Sequence, residues 1–211
     1  GSQCTNFDNY AAALAIASEL FHDARKKGFG LNIVDIGGGF PETHADQLAD
    51  NLSFRQSLRE AIENGLPVYA ECAGLMYLCQ SISWKKRPYE MVGVIPSKIK
   101  LSERPEGHGY VVARVVNENP LFPVGLTLRG HEFHHSGLSP IDDLQFAYQI
   151  QRGKGIAGQK DGIVYKNLFA SYVHLHALGT PEWAEGFVAL ASKGKRTTRR
   201  PLHAKDRACC S

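Results

Sequence analysis

A single cysteine, Cys72, stands where an apolar stretch that favours a β-strand gives way to small residues and then to a segment that favours a helix. This order of strand, nucleophile and helix is typical of a nucleophile elbow, with cysteine in the position that serine holds in hydrolases. The sharp turn would expose the sulfur above the sheet edge, and the positive end of the helix would favour the thiolate. The small Ala73 would let its backbone amide face an oxyanion. A buried cysteine at a strand end is the structural alternative, and the pattern alone favours neither.

A histidine, His174, follows another apolar run, at residues 168–173. The carboxyl ends of parallel strands share one edge of a sheet, where ligands bind, so Cys72 and His174 are predicted to meet there. A cysteine paired with a histidine that a third group orients is the usual arrangement for acyl transfer. A surface or capping histidine is the alternative, and the cysteine elbow upstream weakens it.

Residues 131–135 form a third cluster of chemically active side chains, with the sequence HEFHH. On a strand, alternate side chains face opposite sides. One side would carry His131, Phe133 and His135, and the other Glu132 and His134. We therefore predict no metal site here, and structural hydrogen bonding is one role that the cluster could have.

The composition favours one globular α/β domain. The chain has 211 residues, of which 43% are hydrophobic and 21% charged, with a formal net charge of +3. Part of that charge lies in residues 193–211, for which we predict a basic, disordered tail and no nucleic-acid partner. No apolar run is long enough to span a membrane. Five irregularly spaced cysteines fit no disulfide or zinc pattern, which favours a cytoplasmic location.

Alternating strand and helix signals predict a mostly parallel sheet with helices on both faces and added antiparallel strands at one edge. Helices are predicted at 8–27, 45–64, 75–81 and 181–192. Strands are predicted at 31–36, before Cys72, at several places within 92–150, and as a closing hairpin at 162–165 and 168–173. A glycine loop, 37–41, follows the first strand.

Four ordered motifs carry a family resemblance: GGFPETH at 38–44, LPVYAECAGLMYL at 66–78, GHEFH at 130–134 and ASYVHLH at 170–176. Together they resemble the class I glutamine amidotransferase domain of cobyrinic acid a,c-diamide synthases, over residues 37–192. The resemblance implies a flavodoxin-like class I glutamine amidotransferase fold. It also implies glutamine hydrolysis through a cysteine thioester.

The resemblance also implies site roles. Cys72 would attack the glutamine amide and His174 would transfer protons, while the backbone amides of Ala73 and of Gly37, Gly38 and Gly39 would bind the oxyanion. Most class I relatives carry a glutamate two residues after the histidine. Here that position is His176, a possible orienting group without the negative charge of a carboxylate. His131, Glu132 and His134 would lie on the acceptor side or at an interface.

The partners implied are glutamine and an ATP-binding synthetase domain, which together would amidate the a- and c-carboxylates of cobyrinic acid in cobalamin biosynthesis. The chain has no glycine-rich phosphate loop ending in Gly-Lys-Ser or Gly-Lys-Thr. We therefore expect a partial enzyme that needs no cofactor of its own. ATP and magnesium would belong to the missing synthetase domain.

Residues 1–41 resemble a different family, the ornithine/diaminopimelate decarboxylase barrel, and share with the amidotransferases the glycine string ending at Pro41. The chain is thus interpreted as a chimera in which 1–41 supplies part of the same domain. A non-catalytic chimeric or engineered α/β scaffold is the alternative function. Use of the barrel's pyridoxal phosphate is not expected, because the cofactor lysine and its partners are absent from this segment.

Overall fold

The computed structural model describes residues 34–36, 45–84, 86–139 and 143–194. The predicted helix at 8–27, the glycine loop at 37–41 and most of the basic tail lie outside these ranges. Within them the strands form two sheets, one of seven strands and one of four, with helices packed against the larger sheet.

The described helices are α1 Ala45–Asp50, α2 Leu52–Glu63, α3 Ala73–Leu78 and α4 Pro181–Gly194. The strands are β1 Val34–Ile36, β2 Val68–Glu71, β3 Cys79–Trp84, β4 Arg87–Glu90, β5 Ile95–Leu101, β6 Gly107–Val115, β7 Thr127–His134, β8 Ser136–Leu138, β9 Gln145–Arg152, β10 Lys160–Tyr165 and β11 Leu168–Ser171.

The larger sheet is mixed, with the order β1-β2-β11-β10-β9-β6-β7. Its first three strands are parallel, with Val34 opposite Val68 and Leu168 opposite Val68 on the other side. The remaining strands are antiparallel and extend one edge, as predicted. Because β2 and β11 are parallel neighbours, their carboxyl ends bring the residues that follow them to one edge.

Both faces of β2 are covered. Val68 and Ala70 pack with α2 and α3 on one face, whereas Tyr69 packs on the other with Trp183 and Phe187 of α4. The strand is therefore apolar on both faces, as expected for a central parallel strand. The helices predicted on both faces of the sheet are confirmed.

The predicted helix at 45–64 is interrupted at Asn51. The Asn51 side chain accepts a hydrogen bond from the Phe54 amide at 3.2 Å, so it caps a new helix, α2, rather than continuing α1. Asparagine competes for backbone hydrogen bonds and so favours such caps over helix interiors.

The smaller sheet, with the order β4-β3-β5-β8, was not predicted. The helix predicted at 75–81 is wrong in its extent: α3 ends at Leu78, and Cys79 is already extended, with φ −70° and ψ 175°. The chain then continues as β3, in which Ser81 and Ile82 are buried. Residues after the nucleophile thus supply one short helix and the start of a second sheet.

Candidate active site

Cys72 lies in the sharp turn between β2 and α3, with φ 48° and ψ −105°. The backbone of a residue other than glycine is strained at positive φ, and such strain is typical of functional turns. Both ends of the turn are held: the Cys72 amide donates to the Ser171 carbonyl at 2.8 Å, and the Met76 amide donates to the Cys72 carbonyl at 3.0 Å. The elbow geometry predicted from the sequence is therefore present.

The two cysteines that the structure describes differ in environment. Cys79 is fully buried, and burial raises the pKa of its thiol. Cys72 is only partly buried, and its sulfur lies 3.7 Å from the Phe133 carbonyl oxygen. The interpretation as a buried structural cysteine therefore fits Cys79 and not Cys72.

His174 is positioned by backbone contacts with β7. The His131 amide donates to the His174 carbonyl at 3.1 Å, and the His174 amide donates to the His131 carbonyl at 2.7 Å. A Cβ atom on Gly130 would lie 2.3 Å from the His174 carbonyl oxygen, so this close approach requires glycine. The rings of His131 and His174 also stack, with centroids 4.9 Å apart.

A carboxylate contacts the other side of the His174 ring. The Nδ1 atom lies 3.0 Å from Oε2 of Glu71, and because a carboxylate can only accept, Nδ1 is the donor. The second oxygen, Oε1, accepts from the Tyr69 hydroxyl at 2.5 Å and from the Leu175 amide at 3.1 Å. Glu71 is therefore held by both oxygens while it faces His174.

These contacts make His174 strongly basic. Burial alone would lower its pKa, but hydrogen bonds with Cys72 and Glu71, and the negative charge of both groups, raise it to about 10. His174 is thus cationic at neutral pH. Its Nε2 atom is the ring nitrogen left for the sulfur of Cys72, because Nδ1 faces Glu71.

The pairing of Glu71 with His174 was missed by the sequence analysis. Strand alternation sends neighbouring side chains to opposite faces, so Glu71 and Cys72 are expected to point apart. The positive φ of Cys72 ends that alternation at the elbow, and both side chains then reach the same histidine. The signal that could have found Glu71 is a carboxylate directly before a residue forced out of the strand.

His176 does not contact the ring of His174. Its Nδ1 atom accepts a hydrogen bond from the Leu178 amide at 3.2 Å, and its carbonyl accepts from Gly179 and Thr180, both at 2.8 Å. The orienting role considered for His176 is corrected: the structure places Glu71 against His174, and His176 shapes the turn before α4.

The oxyanion residues are described only in part. Ala73 is the first residue of α3, and the first amides of a helix have no partner within it. Its N–H is therefore available next to the sulfur. Gly37, Gly38 and Gly39 lie outside the described residues, so their oxyanion role stays a prediction.

The residues of the 131–135 cluster alternate along β7 as predicted. His131 and Phe133 are exposed, whereas Glu132 and His134 are only 3% and 4% exposed. Burial contradicts the interface role for Glu132 and His134. For His131 that role stays a prediction.

The buried pair has a structural role instead. Glu132 accepts from the amides of Lys154 at 2.6 Å and Gly155 at 3.0 Å, and His134 Nδ1 donates to the Ser136 carbonyl at 2.8 Å. Burial would raise the pKa of Glu132, but the nearby His134 ring and the hydrogen bonds from the two amides lower it. Residues 131–135 match the pattern of a zinc motif that binds metal when it is helical. Here the segment is an extended strand, so its histidines do not come together as they would on a helix. The described residues contain no group of ligands that could hold a metal.

A cavity of about 390 Å³ opens beside the site. Its walls include His131 and Phe133 of β7 and the facing His108 and Tyr110 of β6. Cys72 and His174 do not line this cavity, but its wall residue Phe133 has a carbonyl oxygen 3.7 Å from the Cys72 sulfur, so the cavity opens next to the nucleophile. None of the described helices is long and apolar enough to cross a membrane.

Comparisons with known proteins agree with this geometry. The model of the CobB/CobQ-like glutamine amidotransferase domain matches residues 3–182. The match includes the segment that resembles the decarboxylase barrel, and the chimeric origin stays a prediction.

Cobyrinate a,c-diamide synthase of Magnetococcus marinus is 43% identical over 150 residues, which cover 71% of this chain and 32% of that protein. The enzyme of the same name from Archaeoglobus fulgidus is 40% identical over 160 residues, covering 76% of this chain and 35% of that one. The chain spans about a third of the length of these relatives.

Among solved structures, PurLQS from Thermotoga maritima matches with a TM-score of 0.59 and 16% identity, covering 77% of this chain and 79% of that one. A glutamine amidotransferase crystal structure matches with a TM-score of 0.56 and 17% identity, covering 83% and 93%. At these identities the likeness concerns the fold alone.

Proposed function

The chain belongs to the CobB/CobQ-like glutamine amidotransferase domain family, and on that premise we propose that Cys72, His174 and Glu71 form its glutamine-hydrolysing centre. The observation that supports this most strongly is the series of contacts from a strained, accessible cysteine through a cationic histidine to a half-buried carboxylate. In this arrangement Cys72 is the nucleophile, His174 the proton carrier and Glu71 the group that orients His174.

The reaction has two balanced halves. The Cys72 thiolate forms a C–S bond with the amide carbon of glutamine, the C–N bond breaks, and the leaving nitrogen takes a proton from His174 to depart as ammonia. Water then attacks the thioester and gives its proton to His174, the C–S bond breaks, and glutamate leaves. The Ala73 amide stabilises the oxyanion of each tetrahedral intermediate, as do, by family resemblance, the amides of Gly37, Gly38 and Gly39.

The ammonia serves an ATP-dependent amidation of the a- and c-carboxylates of cobyrinic acid, carried out with an ATP-binding synthetase domain. Two facts support this assignment: the name of the relatives at about 40% identity, and the third of their length that the chain spans. ATP and magnesium are bound by the synthetase domain. The cytoplasm is the proposed location.

A glutaminase assay tests the centre. The wild-type chain should release glutamate, Cys72→Ala should release none, and His174→Ala should be slower by roughly 10²- to 10⁴-fold, the usual worth of general acid–base catalysis. Labelling with 6-diazo-5-oxo-L-norleucine, an electrophilic glutamine analogue, should add one group at Cys72 and none at the buried Cys79. A wild-type chain that neither releases glutamate nor takes the label at Cys72 would support the non-catalytic scaffold instead.

A further inference from the structure

The outer face of the smaller sheet carries a groove of about 640 Å³ that is separate from the cavity beside Cys72. Its chemically distinctive lining consists of two amines, a histidine, two hydroxyls and an indole: Lys86, Lys100, His135, Ser83, Ser102 and Trp84. The proposed glutaminase chemistry uses none of these side chains.

Strand register places the polar groups side by side. Ser83 of β3 and Gly137 of β8 lie on either side of Lys100 of β5. A Cβ atom added to Gly137 would meet nothing within 4 Å, so the space beside Lys100 is open. The groove is thus a built feature of the sheet in which a glycine leaves room next to a cation.

Lys86 and Lys100 give the groove two positive charges. Within the ranges that the structure describes, no carboxylate forms an ion pair with Lys86 or Lys100. Glu103 is the acidic side chain in the lining, and it pairs with neither lysine. Two unpaired amines that face one groove favour an anionic ligand.

Lys86 also has an unusual backbone. It lies between β3 and β4, with φ 65°, a backbone conformation in which glycine or asparagine is preferred. Lys166, the other lysine with positive φ among the described residues, forms an ion pair with Glu63. Among the described residues Lys86 has no such pair, so its amine is available at the rim of the groove.

The groove borders the nucleophile. The ring of His135 contacts the ring of Phe133, with centroids 5.4 Å apart, and the Phe133 carbonyl lies 3.7 Å from the Cys72 sulfur. A ligand that contacts His135 in the groove would therefore lie close to Phe133, whose carbonyl oxygen is near the Cys72 sulfur.

From these observations we infer that the groove binds the acceptor of the amidation, a flat ring system that carries several carboxylates. This inference rests on the proposed function and places part of the acceptor site on this domain rather than wholly on the synthetase domain. Trp84 and Leu101 provide apolar walls for the ring, while Lys86, Lys100 and His135 pair with its carboxylates. A compact anion such as phosphate would use the amines but not the apolar walls.

Uroporphyrin, a porphyrin with carboxylates on every pyrrole ring, is a suitable probe for the full chain. Binding should shift the Soret absorbance of the porphyrin saturably, and Trp84→Ala, which removes an apolar wall of the groove, should weaken binding. Lys86→Gln with Lys100→Gln should weaken binding roughly tenfold or more. Gly137→Leu, which fills the open space without changing charge, should weaken it as well.

Lys98→Gln is the matched control, because Lys98 is exposed on β5, the strand that carries Lys100, but does not line the groove. This variant should bind the probe like wild type. Absence of saturable binding, equal weakening in the control, or full displacement by equimolar pyrophosphate would each overturn the inference. A second test uses a longer chain that includes the synthetase domain. If Lys86 and Lys100 are shielded from acetylation there but the protein does not bind the porphyrin, the inference is also overturned. Glutamate release by the same wild-type preparation tests the proposed function separately: release without porphyrin binding overturns only the acceptor site.

Discussion

Two glutamate–histidine pairs among the described residues differ in what surrounds them. In the first, Glu71 lies 3.0 Å from His174, and both side chains keep 15–18% of their surface exposed. In the second, Glu132 lies 3.6 Å from His134, and both side chains are 2% exposed. The first pair faces a cysteine; the second faces two backbone amides and a carbonyl. The same two residue types therefore serve proton transfer in one place and loop anchoring in the other.

Access and a nucleophile distinguish the two pairs. His174 has one nitrogen committed to Glu71 and the other free for Cys72. His134 is stacked on the Tyr172 ring, with centroids 3.7 Å apart, and no substrate can reach it. Substitutions in the first pair should therefore change activity, and substitutions in the second should change stability.

The largest effect on this comparison is expected for Glu71→Gln. An amide nitrogen facing Nδ1 would force the His174 proton onto Nε2, the atom that must accept a proton, so kcat should fall roughly 10²-fold or more. The titration midpoint of His174, followed by NMR, should fall from about 10 towards its usual value.

Glu71→Asp keeps the charge and should recover part of both losses. A variant with low activity but an unchanged His174 midpoint would show that Glu71 acts only on the fold. The melting temperature of each variant, measured alongside, separates the two cases.

Glu132→Gln should break the second pair with a smaller effect, and on a different observable. Glu132 accepts hydrogen bonds from two backbone amides, and in the variant one of these amides would lose its acceptor. This loss should lower the free energy of unfolding by about 1–3 kcal/mol. Chemical denaturation measures this change, and kcat should stay within about twofold of wild type. A loss of activity larger than the loss of stability would contradict the structural role.

Asp161, beneath Tyr172, gives a pH-dependent test of the same region. Burial raises its pKa from 3.8 to about 7, although amides of Gly162 and Tyr172 donate to it. Because the folded pKa is the higher one, the native state holds a proton that the unfolded state has lost. Stability should therefore fall as pH rises from 4 to 7, by roughly 1.4 kcal/mol per pH unit.

Asp161→Asn should remove that slope. Both amides donate to the same oxygen, Oδ1, so asparagine can keep both bonds. Urea denaturation of both proteins between pH 4 and pH 8 gives the difference. Parallel curves for the two proteins would rule out Asp161 as the titrating group.

The smallest effect is expected for His176→Ala, because the His176 side chain accepts only one hydrogen bond, from the Leu178 amide in an exposed turn. Glutamate release should stay within about twofold of wild type, and stability within about 1 kcal/mol. A loss comparable with that of Glu71→Gln would restore His176 as an orienting group and refute the assignment of Glu71.

The sequence by itself determined the class of the fold and the identities of the nucleophile and its histidine. Apolar runs that end at Cys72 and His174 predict parallel strands, and pairing of β2 with β11 brings both residues to one edge. Alternation along β7 likewise predicts that Glu132 and His134 share one face of the strand, and the structure shows that this face is the buried one. These inferences depend on local periodicity, which a single sequence displays.

The tertiary structure alone decided the third member of the site and the position of the groove. The partner of His174 depends on the φ angle of Cys72, and a periodic pattern carries no information about a residue that leaves its strand. Packing of the smaller sheet brings Ser83, Trp84 and Lys86 close to residues 100–102 and to His135, although these residues are far apart along the chain. Contacts of this kind are set by long-range packing, so the chemistry they allow becomes visible only once the strands are paired.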